Sequence, residues 1–363
     1  MSSHRVLLTG ANGFIAQHIL ADFLEAGHSV RGVVRSQARV TQLKAIFSKY
    51  ADKQLDFAIV QDITAPGAFD AALQSPEGPF DAALQSPEGP FDLVVHTASP
   101  YNFREGETND HFLNPAVKGT TGILESVARA APSVKRVIVT SSMASIVDFA
   151  APVVTHPAKV YTEADWSPVT WEQALSTDNM HIVYQASKKY AEKAAWEFVE
   201  QHKPGFDLVT LCPPMVYGPA YEPSVYQTAQ QLNESVLMLY NVSLRPGLTE
   251  DSPVPPTGMH VYVDVRDVAQ AHLLAATTPA AGGHRFVLCA EQGHMSSQRV
   301  VNILRARLPE WSKRIPRGEP DKWEMPEGAY GASSALAKEV LGLKFHTPEE
   351  TIGDMGAQLI EFA

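Results

Sequence analysis

The segment Thr9-Gly10-Ala11-Asn12-Gly13-Phe14-Ile15-Ala16 constrains the fold of this chain more than any other stretch. In front of it, Arg5-Val6-Leu7-Leu8 is a short apolar run suited to a buried parallel strand. Behind it, Ile15, Ile19, Phe23 and Leu24 recur at helical spacing. The glycines therefore occupy a strand-to-helix turn, the setting a dinucleotide fingerprint requires. Gly10 can take the tight turn and Gly13 lets backbone N–H groups approach a pyrophosphate. The helix N-terminus, at Phe14 and Ile15, supplies partial positive charge. The spacing is G-x-x-G-x-x-A rather than G-x-G-x-x-G, and Ala16 still permits close helix–strand packing. A glycine turn that holds no ligand is the alternative.

The expected second strand, 29–34, ends at Arg35, with Arg39 one helical turn later. A site for NAD usually carries a carboxylate near here to hold the ribose 2′-hydroxyl. None is present, and two guanidinium groups stand where a 2′-phosphate would lie. One charge-assisted hydrogen bond is worth ~1.5–3 kcal/mol, and about 1.4 kcal/mol is tenfold in affinity. A single contact therefore sets a preference for NADPH. The chain as a whole is acidic, at −11, but salt screens such a field within ~8 Å. Arg35 and Arg39 as plain solubility charges at a helix start are the competing reading.

Tyr184 and Lys188, in Tyr-Gln-Ala-Ser-Lys, stand four apart on an expected helix over 180–201, and so share one face. A phenol titrates near ~10. An ammonium beside it favours the phenolate and lowers that value, giving an acid whose proton can meet a developing alkoxide. Alone, Tyr-x-x-x-Lys is an ordinary solvated helix face; the glycine turn and the arginines raise its weight. Ser141 and Ser142, at the end of an apolar run, either finish a strand by satisfying backbone groups or serve the same chemistry. Asp62 is a helix cap or a cofactor contact, and His96 a hydrogen-bonded strand-end histidine. The flanking residues Tyr101, Phe103, Met143, Phe149, Tyr217 and Tyr221 are core or pocket wall.

Composition narrows the function classes. With 363 residues, 45% hydrophobic and 19% charged, the chain suits a soluble enzyme with one large domain and a smaller lobe. No basic cluster points to nucleic acid, and no apolar run reaches the ~20 residues of a membrane span. The first strand starts too early to leave room for a targeting peptide. Cys212 and Cys289 lie in apolar strand contexts and read as buried thiols in a reducing cytosol. The 13 histidines show no metal-ligand spacing, so no metal is expected.

Strand-like and helical runs alternate through the first 215 residues, which predicts an α/β fold: a Rossmann-type, doubly wound parallel sheet with a smaller C-terminal substrate lobe. Strands are expected near 4–9, 29–34, 56–61, 91–96, 135–141 and 206–212, with two more, near 260–263 and 284–289, returning to the sheet. The dinucleotide domain would be 1–214 plus 260–290, and the substrate lobe 215–259 plus 291–363. Phe69–Pro79 and Phe80–Pro90 are the same eleven residues repeated verbatim. Two copies do not make a solenoid, and the second, within the tandem duplication over 69–90, is expected to be accommodated as a surface insertion.

With Gly10–Ala16, Arg35, His96-Thr97-Ala98-Ser99-Pro100, Val139-Thr140-Ser141-Ser142 and Tyr184/Lys188 in this order, the chain resembles the extended short-chain dehydrogenase/reductases. It is most similar to their dihydroflavonol-4-reductase-like branch. Residues 10–19 and 187–198 are similar to fungal NADPH-dependent methylglyoxal and ketone reductases. The resemblance implies a cytoplasmic NADPH-dependent carbonyl reductase, with NADPH/NADP as cofactor. Its partner would be a small carbonyl substrate, with neither nucleic acid nor membrane, in a monomer or homodimer. It implies Ser142 as the carbonyl's hydrogen-bond partner, Tyr184 as proton donor and Lys188 on the nicotinamide ribose. It further implies Asp62 and Ile63 at adenine, Thr97 and Ala98 beside the ribose, and Pro213 and Val216 against the nicotinamide amide. The family often carries asparagine where this chain has Lys118, so the relay is arranged differently here or Lys118 faces solvent. A 3β-hydroxysteroid-type dehydrogenase, a nucleotide-sugar epimerase and an NADP-sensing regulator are the competing functions.

Overall fold

The computed structural model describes residues 3–50, 54–74, 90–99, 108–290 and 294–362. The glycine turn lies between strand β1 (Arg5–Thr9), every residue of which is buried, and helix α1 (Phe14–Glu25). Ile19, Leu20, Phe23 and Leu24 of α1 are buried, so the helix packs the apolar stripe that its sequence carries. Strand β2 (Ser29–Val34), helix α2 (Gln37–Ile46), strand β3 (Leu55–Ile59) and the short helix α3 (Asp70–Leu73) follow. After β4 (Leu93–His96) come α4 (Asp110–Ala130), β5 (Arg136–Thr140) and the two-residue β6 (Val160–Tyr161). The chain continues with α5 (Trp171–Ser176), α6 (Met180–His202), β7 (Asp207–Cys212) and β8 (Met215–Tyr217). Then come α7 (Glu234–Ser243), β9 (Tyr262–Asp264), α8 (Val265–Thr277), β10 (Arg285–Val287), α9 (Ser297–Arg307) and β11 (Gly331–Ala332). Helices α10 (Ala335–Leu341) and α11 (Pro348–Leu359) close the chain.

Seven strands form one sheet in the order β10-β7-β5-β4-β1-β2-β3. The pairs β1–β2, β1–β4, β2–β3, β4–β5 and β5–β7 run parallel. This is the Rossmann arrangement of the sequence reading, and its strands are Val-, Ile- and Leu-rich because helices cover both faces. One layer packs Leu7, Val94 and Val137 of the sheet against Ile123, Leu124 and Val127 of α4. Helices α4 and α6 meet through Phe112, Leu113, Val183 and Ala186.

Two compact units emerge: Met1–Ala151, Glu163–Cys212 and Ala269–Phe286 form the first, and Pro152–Thr162, Pro213–Val268 and Val287–Ala363 the second. One expectation fails. The strand near 260–263 does not return to the large sheet: β9 pairs in parallel with β8, Met215 opposite Tyr262 and Tyr217 opposite Asp264. Alternation in His260-Val-Tyr-Val-Asp encodes a strand, but not which neighbour it takes.

The second copy of the duplicated segment lies outside the described residues, apart from Pro90. Of the first copy, residues 69–74 are described: Phe69, Ala72 and Leu73 are buried, and Asp70 makes a two-oxygen contact with Arg129. Arg31 donates to the carbonyls of Ala72 and Gln74 at 3.0 and 2.8 Å. No helix among the described residues is long and apolar enough to cross a membrane.

Candidate active site

In an open parallel sheet, ligands bind beyond the strands' carboxyl ends, where neighbouring strands lead away in opposite directions. Here that place lies between β1, which leads to β2 on one side, and β4, which leads to β5 on the other. Gly10 leaves β1 with φ +68°, and a Cβ there would stand 3.1 Å from the Ala98 backbone. Only glycine fits that approach without strain. The strand ends are tied: Thr97 Oγ1 donates to Thr9 O at 2.7 Å, and Ala98 N donates to Thr9 Oγ1 at 3.2 Å. Gly13 N donates to Gly10 O at 2.9 Å, closing the turn. Gly13 is the N-cap of α1 and makes no side-chain capping bond. The amides of the first helical turn, at Phe14 and Ile15, are thus left for an anion.

Around this turn stand the other cofactor candidates. Arg35 follows β2 and is exposed, as is Arg39, whose guanidinium donates to Gln42 at 2.8 Å. Asp62 follows β3 and is exposed, while Ile63 is buried. Asp62 caps no helix: its Oδ1 accepts from Thr64 N at 2.8 Å and Thr64 Oγ1 at 2.7 Å. Those two bonds, with Arg35 adding a smaller pull, hold its carboxyl below the usual range.

Helix α6 begins at Asn179, whose side chain accepts from His181 N at 3.0 Å. Tyr184 and Lys188 follow on one face, the ammonium 5.6 Å from the phenol ring centroid. Lys188 Nζ donates to Ser99 Oγ at 3.0 Å, so the lysine reaches the end of β4. Ser142 follows β5 in extended conformation and caps the 3₁₀ turn Met143–Ser145, its Oγ accepting from Ala144 N at 3.1 Å. It also hydrogen-bonds Tyr184. The structure thus brings Ser142, Tyr184 and Lys188 together within the first unit.

Their acidities differ from the sequence expectation. Burial pushes Tyr184 above the ordinary phenol value, with the Ser142 hydrogen bond pulling the other way. Lys188 does not lower it; burial brings Lys188 itself down to about 8. A spacing of four residues shows that two groups are neighbours, whereas desolvation of both depends on what covers them. His96 is buried, bonded to Thr9 Oγ1 through Nδ1 at 2.9 Å. Burial and the Lys188 charge bring it down to about 3, so it stays neutral and is only a weak base.

A carboxylate that sequence reasoning passed over lies one turn beyond Lys188. Glu192 is buried and accepts from Ser141 Oγ at 2.5 Å, Thr210 Oγ1 at 2.8 Å and Arg285 Nε at 2.7 Å. Burial alone would raise its pKa, but the Arg285 charge and the hydrogen bonds from Arg285, Ser141 and Ser145 hold it below the usual range. The signal was the four-residue step from Tyr184 to Lys188 to Glu192 along an inward face.

Pro213 and Val216 are buried in the second unit, Val216 on β8. Met143 is fully buried and therefore core; Phe149 is half-buried, Tyr217 buried and Tyr221 exposed. Tyr101 and Phe103, like Pro100, lie outside the described residues. Lys118 is exposed on α4, which decides for solvent. Cys212 and Cys289 are both buried.

Residues 6–289 match the family model described as NAD dependent epimerase/dehydratase family. The chain belongs to that family. Members of this extended short-chain dehydrogenase/reductase family that resemble it include the ketoreductase azaE of Aspergillus niger, 41% identical over 99% of this chain and 98% of that protein. The NADPH-dependent methylglyoxal reductase GRE2 of Saccharomyces cerevisiae is 34% identical, covering 98% of each chain. Among solved structures, yeast methylglyoxal/isovaleraldehyde reductase Gre2 complexed with NADPH superposes with a TM-score of 0.85 at 32% identity, over 99% of this chain and 98% of that one. Vestitone reductase from alfalfa superposes with a TM-score of 0.73 at 26% identity, over 99% of both chains.

Proposed function

We propose that this family member is an NADPH-dependent carbonyl reductase, converting a ketone or aldehyde to the alcohol with Tyr184 as proton donor. The observation that carries the reading is the meeting of Ser142, Tyr184 and Lys188, with Lys188 tied to Ser99 at the strand end that faces Gly10. The similarity to the ketoreductase azaE and to the NADPH-dependent methylglyoxal reductase GRE2 points the same way.

The residues present fit the cofactor. The Gly10 approach leaves no room for a Cβ, and α1 starts without a capping side chain, as a pyrophosphate seat requires. Arg35 and Arg39 would take the 2′-phosphate, Asp62 and Ile63 the adenine, Thr97 and Ala98 the ribose side. Lys188 would hold the nicotinamide ribose, and Pro213 and Val216 the amide. A reduced nicotinamide supplies the hydride that the carbonyl carbon accepts.

The proton is this chain's task. Because burial raises its pKa, Tyr184 keeps its proton at neutral pH and can donate to a carbonyl oxygen as charge develops there. Ser142 Oγ already accepts from Ala144 N, so its own proton is left for the phenol oxygen or the substrate. When Tyr184 has given up its proton, the Ser142 hydroxyl stabilises the phenolate until water returns one. The two buried cysteines suit a reducing, cytosolic setting.

The test is a panel of ketones, dicarbonyls, hydroxysteroids and nucleotide sugars, followed through the near-ultraviolet absorbance of NADPH. Consumption of NADPH with ketones or dicarbonyls, matched by alcohol product, supports the reading. Tightly held NAD with sugar interconversion would indicate an epimerase, and hydroxysteroid oxidation with NAD a steroid dehydrogenase. NADPH binding with no turnover on any substrate would indicate a regulator.

A further inference from the structure

Three serines, Ser141, Ser142 and Ser145, crowd the end of β5, yet the proposed chemistry uses one. Their hydrogen bonds explain the division. Ser141 Oγ donates to Glu192 Oε2 at 2.5 Å. Ser145 Oγ reaches both Glu192 Oε2 and the Ser142 carbonyl, each at 2.7 Å. Ser145 N also donates to that carbonyl, at 3.0 Å. The serines on either side of Ser142 are thus engaged by one carboxylate, and only Ser142 keeps a proton for Tyr184.

Arg285 keeps that carboxylate ionised and fixed. Its Nε donates to Glu192 Oε1 at 2.7 Å and its Nη2 to Ser145 Oγ at 2.9 Å. Its Nη1 donates to the carbonyls of Glu163 and Asp165 at 3.0 and 2.6 Å, and the guanidinium lies 3.7 Å over the Trp166 ring. A buried ion pair is seldom needed for stability, since apolar residues of similar volume often replace it without loss. Orienting two hydroxyls and a backbone turn is a task that apolar residues cannot take over.

We propose that Glu192 is a positioning residue: through Ser145 and Ser141 it fixes the turn that presents the Ser142 hydroxyl to Tyr184. The inference rests on the carbonyl reductase reading and adds a residue to it. Because Tyr184, Lys188 and Glu192 step down one helix face, the proton donor and the clamp on its partner move together.

The test compares three variants of the full chain. Glu192→Met/Arg285→Met removes both charges together, so no lone charge stays buried. Ser141→Ala/Ser145→Ala cuts the tethers while leaving the ion pair intact, and serves if the first variant does not fold. Thr210→Val deletes a donor to the same carboxylate from the strand side, away from the serine turn. Two readouts apply: turnover per NADPH-binding site, and the Tyr184 ionisation followed by NMR of ring-labelled tyrosine, assigned with Tyr184→Phe. A misplacement of ~1 Å can cost ~100-fold. Each tether variant is expected to lose at least about tenfold in turnover per site, with NADPH affinity kept within about twofold. In each, the Tyr184 pKa should rise as the Ser142 hydrogen bond is lost; Thr210→Val should change neither readout. A Tyr184 titration unmoved in the tether variants, or equal losses in Thr210→Val, overturns the proposal. If wild type reduces no carbonyl, the reductase reading fails, and the titration, which needs no turnover, still decides the role of Glu192.

Discussion

Lys188 Nζ donates to Ser99 Oγ at 3.0 Å, fastening the Tyr-x-x-x-Lys helix to the end of β4. The same ammonium is partly buried and brought down to about 8. Its charge is therefore lost within reach of ordinary assays.

A pH dependence follows. The kcat/KM for NADPH reports ionisations of the free enzyme. It should fall as pH rises through about 8, where Lys188 loses the charge that would hold the ribose. Lys188→Met should lower kcat/KM by about 10- to 100-fold, the worth of a hydrogen bond from a charged group. The limb near pH 8 should vanish with it. Steady-state profiles of both proteins decide.

Linkage gives a stability consequence of the same shift. The lysine binds its proton more weakly folded than unfolded, so the unfolded chain holds more protons between about 8 and the ordinary lysine value. The Lys188 contribution should make the wild type gain stability relative to Lys188→Met as pH rises through that window. Denaturant titrations at several pH values check the sign.

Gly10→Ala places a side chain at φ +68° with its Cβ 3.1 Å from Ala98. Left-handed backbone costs an L-residue ~1–2 kcal/mol, which is about 2–8 °C in melting temperature. NADPH affinity should fall as well, because the turn and the strand end it touches form one cradle. Calorimetry and NADPH fluorescence read the two effects.

Arg35→Ala should weaken NADPH at least about tenfold and leave NADH nearly unchanged, since only the 2′-phosphate distinguishes them. Equal losses for both cofactors would remove Arg35 from the 2′-phosphate site. The measurement is the ratio of the two dissociation constants.

Much of this was legible in the chain. Strand β2 spans the expected 29–34 residue for residue, and α6 runs one residue beyond the expected 201, because apolar runs and helical periodicity are local signals. The partner of β9 was not legible, since alternation fixes a strand's faces and not its neighbour. Glu192 and Arg285 were missed because they are far apart in sequence and each reads as a surface charge until burial is known. The direction of the Tyr184 shift was misjudged for a related reason: spacing reveals the lysine and hides the desolvation.

The duplicated segment offers an independent check. Deleting Phe80–Pro90 leaves the first copy, whose Phe69, Leu73 and Asp70 are already seated, and restores a Pro-Phe-Asp junction. Loop length costs only about 0.6 kcal/mol per doubling, so turnover should be unchanged. A folded deletion variant without activity would contradict this.

The most direct measurement is single-turnover reduction by Tyr184→Phe beside its NADPH affinity. A positioned general acid contributes about 10²- to 10⁴-fold. The account predicts a loss of that size with cofactor binding intact. A folded Tyr184→Phe that reduces carbonyls at the wild-type rate would contradict it.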